Sequence, residues 1–206
     1  ANVKFFSNYI SANQLVVNLS KGILSNGRTI IEFLKTELKS DNLVSLKGPS
    51  FAVEIIERAE TILTLGYSTK KQKEIIFKIF NSTCIYLEST QDINGVEILG
   101  VVKNIYAILL GIVDEQFSFT NSRFMVLSKV FDEIKVLNNE FNGDTKTLFL
   151  ACGLGDICLT SFNNLSRNRT LGKKIGKGCY DSKEKNMVVV EGVHSLKIIM
   201  SLIDTT

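Results

Sequence analysis

The chain has 206 residues, 45% of them apolar and 22% charged, which suits one domain or two small ones with a real core and excludes a disordered tail. One proline and 14 glycines exclude collagen-like and proline-rich classes, and a formal net charge of +3 does not by itself demand a nucleic-acid partner. Four cysteines (Cys84, Cys152, Cys158, Cys179) form no C-x-x-C pair, and His194 is the sole histidine, so a zinc cage has little to build on. Widely spaced cysteines read as reduced thiols, which points to the cytoplasm rather than to a secreted disulfide scaffold.

The opening residues show no apolar run followed by a small-residue cleavage site, so no signal peptide is expected. The sequence also opens without methionine: either that residue was removed or the chain is a piece of a longer one. Residues 14–19 (QLVVNL) form a short β-branched run, a strand signal. Residues 29–38 carry apolar side chains at helical spacing. Residues 61–65 (TILTL) read as a strand, 70–80 as a basic amphipathic helix, and 84–87 (CIYL) as another strand. Strands alternating with helices predict parallel βαβ units.

Beyond Asp92 only helix signals remain. Asn94-Gly-Val-Glu97 reads as a capping box opening a helix to about residue 113. The window 95–113 is the most hydrophobic in the chain, but Glu97, Lys103 and Asn104 interrupt it. Nine residues from 105 to 113 then run without a charge, against the roughly 20 a membrane span needs, so no span is expected. Further helices are predicted at 122–136, within 145–162, and at 188–203. The change of pattern places a boundary at 90–92, dividing the chain into 1–91 and 92–206. No internal repeat is present.

Four features could carry chemistry. Lys103 sits alone in an apolar stretch, with Gly100, Ala107 and Gly111 on its helical face. Such a face lets a ligand or another backbone approach, and a lysine withheld from water has a lowered pKa suited to general acid/base work. A lysine snorkelling from a helix edge is the alternative. Gly153-Leu-Gly-Asp156 begins like a dinucleotide fingerprint, but Cys158 stands where the third glycine is needed and the context is helical. Its glycines then serve to let Asp156 open a helix, with Thr160 one turn on, or Asp156 is a simple N-cap.

Five cations (Arg167, Arg169, Lys173, Lys174, Lys177) fall within eleven residues, beside Ser166 and Asn168. A phosphate site, a nucleic-acid patch and a solvated basic helix all stay open there, although a nucleic-acid patch would want aromatics that are absent before Tyr180. Gly48-Pro-Ser-Phe-Ala-Val-Glu54 holds the only proline. Ser50 and the following N–H groups either face an anion at a helix start or belong to an ordinary turn. His194 reads as structural.

Together, and in this order, these segments resemble the bacterial-type NAD(P)-dependent glycerol-3-phosphate dehydrogenases. The likeness runs over Asn18-Leu-Ser-Lys-Gly22, Gly48-Pro-Ser-Phe-Ala-Val-Glu54, Asn94-Gly-Val-Glu97 and Gly100-Val-Val-Lys-Asn104. It continues through Gly153-Leu-Gly-Asp156, Ser166-Arg-Asn-Arg169 and Val189-Val-Glu-Gly192, and so covers nearly the whole chain. The resemblance implies an α/β part, a partial Rossmann-type parallel sheet, followed by an all-α substrate domain, with the site in the cleft between them.

It also implies hydride exchange between sn-glycerol 3-phosphate and dihydroxyacetone phosphate with NAD or NADP, in support of glycerophospholipid synthesis. By the same likeness Lys103 matches the catalytic lysine, and Lys21 a lysine touching substrate and cofactor. Gly48, Ser50, Asp156, Ser166, Arg167 and Asn168 match substrate-binding positions. Ala52, Arg167, Val189 and Glu191 match cofactor contacts. The implied partner is a small phosphorylated molecule, with no nucleic acid and no membrane span, and a homodimer stays open.

The sequence departs from the family in several places. No G-x-G-x-x-G occurs in it, and it is expected to lack both the family's N-terminal glycine-loop unit and its closing helices. Leu99 stands where a second glycine is usual, Lys129 where an arginine is usual, and Val113-Asp-Glu115 with Phe117 replaces a glycine-rich loop. Against the enzyme reading stands an inactive remnant that binds phosphorylated ligands or a protein partner.

Overall fold

Two threonines start the helices that flank the sheet. Thr29 accepts a hydrogen bond from the Glu32 N–H while the Glu32 carboxylate returns one to the Thr29 N–H, and Thr69 and Gln72 repeat the exchange. The helices they begin are α1 (Ile30–Leu38) and α3 (Lys70–Phe80). The computed structural model describes residues 9–11, 13–180 and 190–203. Its first half adds β1 (Val16–Asn18), β2 (Leu43–Lys47), the short helix α2 (Ala52–Ile56), β3 (Thr61–Gly66) and β4 (Ile85–Thr90).

The four strands lie in chain order across one sheet. β1 and β2 run parallel with Val17 beside Val44, and β3 and β4 run parallel with Leu63 beside Leu87. β2 and β3 are antiparallel, with Leu46 beside Leu65. The expected architecture, an α/β part followed by helices, is therefore present, but the sheet is mixed rather than parallel. The reason lies in the 48–60 connection. α2 has five residues, too few to carry the chain back along the sheet, so β3 re-enters from the end at which β2 leaves.

Gly48 makes that exit feasible. Its φ is +153°, and a Cβ there would lie 2.8 Å from the Ile62 carbonyl oxygen on β3. β2 itself is absent from the sequence reading. All five of its residues are buried, so it shows no in–out alternation, and Ser45 and Lys47 break its apolar run.

The second half is helical: α4 (Ile93–Gln116), α5 (Thr120–Glu140), a 3-10 turn (Thr145–Phe149), a π turn (Ala151–Gly155), α6 (Asp156–Phe162), α7 (Arg167–Gly176) and α8 (Glu191–Ile203). α4 opens differently from the predicted capping box. Asp92 is the N-cap and accepts from the Gly95 N–H at 2.8 Å, whereas Asn94 lies inside the helix and Glu97 turns to the sheet. Asp92 also accepts from the Asp144 N–H at 2.7 Å and the Thr147 hydroxyl at 2.6 Å, which ties the 3-10 turn to the same corner.

α4 is the axis of the molecule. It has the length and apolarity of a membrane span, yet 83% of its most apolar window is buried inside the protein, as in a core helix. Val96, Leu99, Val102, Tyr106 and Leu110 pack with Val130 and Ile134 of α5, Ile157 of α6 and Ile198 of α8. A separate cluster of Val44, Leu46, Leu63, Leu65 and Ile76 joins the sheet to α3.

The small residues around Lys103 have structural neighbours. A Cβ on Gly172 of α7 would overlap the Ile108 carbonyl oxygen, and one on Gly111 would overlap the Arg169 carbonyl. Gly100 is roomier: the nearest atoms a Cβ there would meet belong to the Lys47 side chain, at 3.4 Å. We expect Gly172→Ala to cost about 1–3 kcal/mol because two backbones must part, and Gly100→Ala to stay within about 1 kcal/mol. Urea unfolding of both variants checks this; equal losses would contradict the backbone contact at Gly172.

Candidate active site

Lys103 lies midway along α4 with 5% of its surface exposed. Its ammonium donates to the Asp156 carboxylate and, at 2.9 Å, to the Thr160 hydroxyl. Asp156 is 1% exposed, and its second oxygen stands 3.4 Å from Lys21 Nζ, whose side chain is 24% exposed. One buried carboxylate therefore serves two ammonium groups. Burial is the main influence on Lys103 and lowers its pKa; Asp156 opposes this and Lys21 adds to it, leaving the amine at about 8.

Asp156 reaches Lys103 because of the π turn before α6. The turn begins on two anchors from the sheet: the Ala151 N–H donates to the Glu88 carboxylate, and the Cys152 N–H donates to the Thr64 hydroxyl at 2.9 Å. Thr64 donates in turn to Glu88 at 2.7 Å. Gly153 fits closely over the Leu148 backbone, and Gly155 faces Pro49. The paired glycines are thus packing residues. Asp156 is no cap either: Gly155 before it is already helical, and the carboxylate points at the lysines.

A second polar cluster begins at the next residue of α4. The Asn104 side chain accepts from Asn168 Nδ2 at 3.0 Å and donates to Glu191 Oε2 at 3.1 Å. Asn168 Oδ1 accepts from the Gly192 N–H at 3.1 Å, so α4, α7 and α8 meet through side-chain amides. The structure thereby gathers Lys103, Asp156 and Lys21 in one group, and Asn168 with Glu191 in the adjoining one.

The remaining predicted positions are more dispersed. Ser166 is buried and caps α7, accepting from the Arg169 N–H at 3.2 Å. Arg167 is exposed and has no partner among the described residues. Gly48 is buried at the end of β2; Ser50, exposed, donates to the Gly48 carbonyl at 3.2 Å; Ala52 is the exposed first residue of α2. Val189 lies outside the described residues.

Thr160 and Asn104 are additions to the predicted set. The signals were available: Thr160 lies one helical turn from Asp156, and Asn104 is a second polar residue inside the apolar stretch. Much of the basic run is paired. Arg169 binds Asp114, and Lys173 and Lys177 approach Glu115 at 3.9 and 3.7 Å. A recess of about 660 Å³ is lined by Gly27, Leu137, Phe141 and Leu202 and shares no residue with the lysine cluster.

Residues 1–73 match the family model for the N-terminus of NAD-dependent glycerol-3-phosphate dehydrogenase, and residues 92–206 match that for its C-terminus. The chain belongs to the NAD-dependent glycerol-3-phosphate dehydrogenase family. Among curated relatives of this dehydrogenase family, glycerol-3-phosphate dehydrogenase [NAD(P)+] of Methanothermobacter thermautotrophicus is 35% identical over 91% of this chain and 58% of its own length. The protein of the same name from Chlorobium chlorochromatii is 32% identical over 97% of this chain and 62% of its own. The chain thus spans about three fifths of these two relatives.

The crystal structure of glycerol-3-phosphate dehydrogenase from Coxiella burnetii matches 99% of this chain and 63% of its own, at a TM-score of 0.89 and 28% identity. A solved structure of glycerol-3-phosphate dehydrogenase from Plasmodium falciparum, at 18% identity and a TM-score of 0.88, shares the fold.

The Lys103 environment leaves a mark on folding stability. With a folded pKa near 8 against 10.5 unfolded, the unfolded chain holds more protons between those values. Burying the charged amine therefore disfavours folding in full below about pH 8, and this penalty is relieved as pH rises from about 8 to 10.5. We expect the unfolding free energy of the wild type, relative to Lys103→Met, to rise across that interval. Parallel urea titrations at several pH values check it, and a constant difference would place the amine's pKa near its ordinary value.

Proposed function

We propose that this chain forms the substrate-handling part of a glycerol-3-phosphate dehydrogenase, which interconverts sn-glycerol 3-phosphate and dihydroxyacetone phosphate and feeds glycerophospholipid synthesis. The observation that carries the reading is the buried Lys103 amine, held by Asp156 and Thr160 with its pKa brought to about 8. An amine near neutrality can both give and take a proton at working pH.

In glycerol 3-phosphate oxidation, neutral Lys103 accepts the C2 hydroxyl proton. In the reverse direction its ammonium donates to the ketone oxygen as charge develops there. Asp156 and Thr160 fix the amine's direction, and Lys21 adds a second positive charge beside Asp156. The substrate phosphate falls to Ser166, Arg167 and Asn168. Arg167 suits this because its guanidinium is exposed and without a partner among the described residues, so a planar fork of donors is available. Gly48 and Ser50 complete the substrate contacts carried over from the family.

The bound cofactor, NAD or NADP, supplies the acceptor or donor of the hydride at C2. Lys21, Ala52, Arg167, Val189 and Glu191 are the residues assigned to hold it. The available donors fit a polyanion: Lys21 retains exposed surface, and Arg167 has no partner among the described residues. Glu191 is oriented by Asn104 at 3.1 Å.

A small phosphorylated partner suits the site better than nucleic acid, since three of the five clustered cations face Asp114 or Glu115. All four cysteines are free thiols, which supports a reducing, cytoplasmic location.

The test is oxidation of NADH or NADPH with dihydroxyacetone phosphate by the protein that carries this chain. Lys103→Met should lower kcat by about 10²–10⁴-fold with the fold unchanged by circular dichroism. Glycerol 3-phosphate oxidation by the wild type should rise with pH to a plateau above about 8 as the amine loses its proton. Near-wild-type turnover in the variant would remove Lys103 from the chemistry. Binding of glycerol 3-phosphate without any turnover would favour the inactive-remnant alternative.

A further inference from the structure

A second lysine and carboxylate are buried beneath the site, and the chemistry above does not use them. Lys47 on β2 and Glu97 on α4 have side chains only 1% exposed and approach to 2.8 Å. Lys47 Nζ also donates to the Ser45 hydroxyl at 2.9 Å and to the Asn18 carbonyl at 3.1 Å. Its stem lies over Gly100, one turn before Lys103 on the same helix. Glu97 accepts from Asn18 Nδ2 at 2.8 and 3.1 Å.

A buried ion pair is poor value as a source of stability, because desolvation offsets the attraction. This pair does something more specific. Asn18 ends β1, and its side chain is a bracket. Its amide donates to Glu97 and to the Ser20 carbonyl, at 3.2 Å, and its oxygen accepts from the Ser20 N–H at 3.0 Å. Both ends of Asn18 are gripped, the backbone carbonyl by Lys47 and the amide by Glu97. The turn it closes leads directly into Lys21.

We propose that the Lys47–Glu97 pair is a positioning device: acting through Asn18 it fixes the 18–20 turn, and so holds the Lys21 ammonium against Asp156 beside Lys103. The catalytic meaning of this arrangement rests on the dehydrogenase reading, but the positioning does not. Lys47 and Glu97 act through Lys21. The geometry accounts for two charges buried at 1% exposure where an apolar pair would fill the space. It also explains why Lys21, on a loop rather than on a helix or strand, reaches Asp156 at 3.4 Å.

The Lys103 amine reports on Lys21, because the Lys21 charge lowers its pKa. Its titration can be followed by NMR of lysine labelled with carbon-13 at Cε, with no turnover required. Two charge-neutral changes cut the device: Asn18→Ala, which leaves the ion pair in place, and the double change Lys47→Met with Glu97→Leu, which removes both charges without orphaning either and leaves the Asn18 amide no acceptor at position 97. Each should move the Lys103 midpoint upward from about 8, in the same direction as Lys21→Met.

Asn18→Ala added to Lys21→Met should move it no further. A merely structural role would lower stability in urea and leave the midpoint where it was. An unchanged midpoint in folded Asn18→Ala, with Lys21→Met shifting it, overturns the proposal. So does a further shift when Asn18→Ala is added to Lys21→Met. Failure of the dehydrogenase reading shows instead as missing turnover with the titration pattern intact.

Discussion

An ammonium group shut away from water has to be met by an anion, and in this protein Asp156 meets Lys103. Much of the helical half can be understood as the means of bringing that carboxylate to that amine. Lys103 is fixed along a 24-residue helix that is packed on nearly every side, so it cannot swing outward to find solvent. Asp156 has to come to it. The chain does so with a π turn whose first N–H groups are tied to Glu88 and Thr64 on the sheet, so the approach of α6 is measured from the strands.

The sheet and the helices consequently share their polar core. α4 carries Glu97 toward β1 and β2 and Lys103 toward α6, six residues apart on one rigid rod. Lys21 belongs to the loop after β1 and answers to both carboxylates: directly to Asp156, and through Asn18 to Glu97. A displacement of α4 along its axis would disturb both ion pairs together. The two halves are thus coupled by charges that each needs, in addition to apolar contact.

What the sequence reveals depends on the range of the interaction. Short-range signals are plain: Thr29 and Thr69 set their helices, and residues 70–80 read as the helix that the structure contains. The isolation of Lys103 in an apolar run is equally visible, and with it the prospect of a perturbed amine. Long-range pairing is what misleads. Glu97 satisfies the spacing of a capping box, but its carboxylate is taken by Ser45, Lys47 and Asn18, residues at least fifty positions away.

The same partners disguise β2. Lys47 and Ser45 look like solvent-facing residues until Glu97 is brought beside them. The antiparallel sense of β3 depends on how far the chain travels between two strands, which local propensity does not encode. The family resemblance supplied candidate residues that spacing alone could not; Thr160 and Asn104, visible as polar residues in the sequence, gain their partners Lys103 and Asn168 only in the folded arrangement.

Where α4 crosses α7, at Gly111 and Gly172, main chain lies against main chain. Most helix crossings are separated by side chains, and an evolving protein can trade their sizes to rotate or slide one helix over another. This crossing has no such shim. The distance from the Lys103 helix to the helix bearing Arg167 and Asn168 is set by peptide groups, whose dimensions do not vary with sequence. Divergence can therefore proceed on the outer faces of both helices while the span between Lys103 and the Arg167–Asn168 end of α7 keeps the same length. A ligand bridging the two ends meets a ruler of constant length.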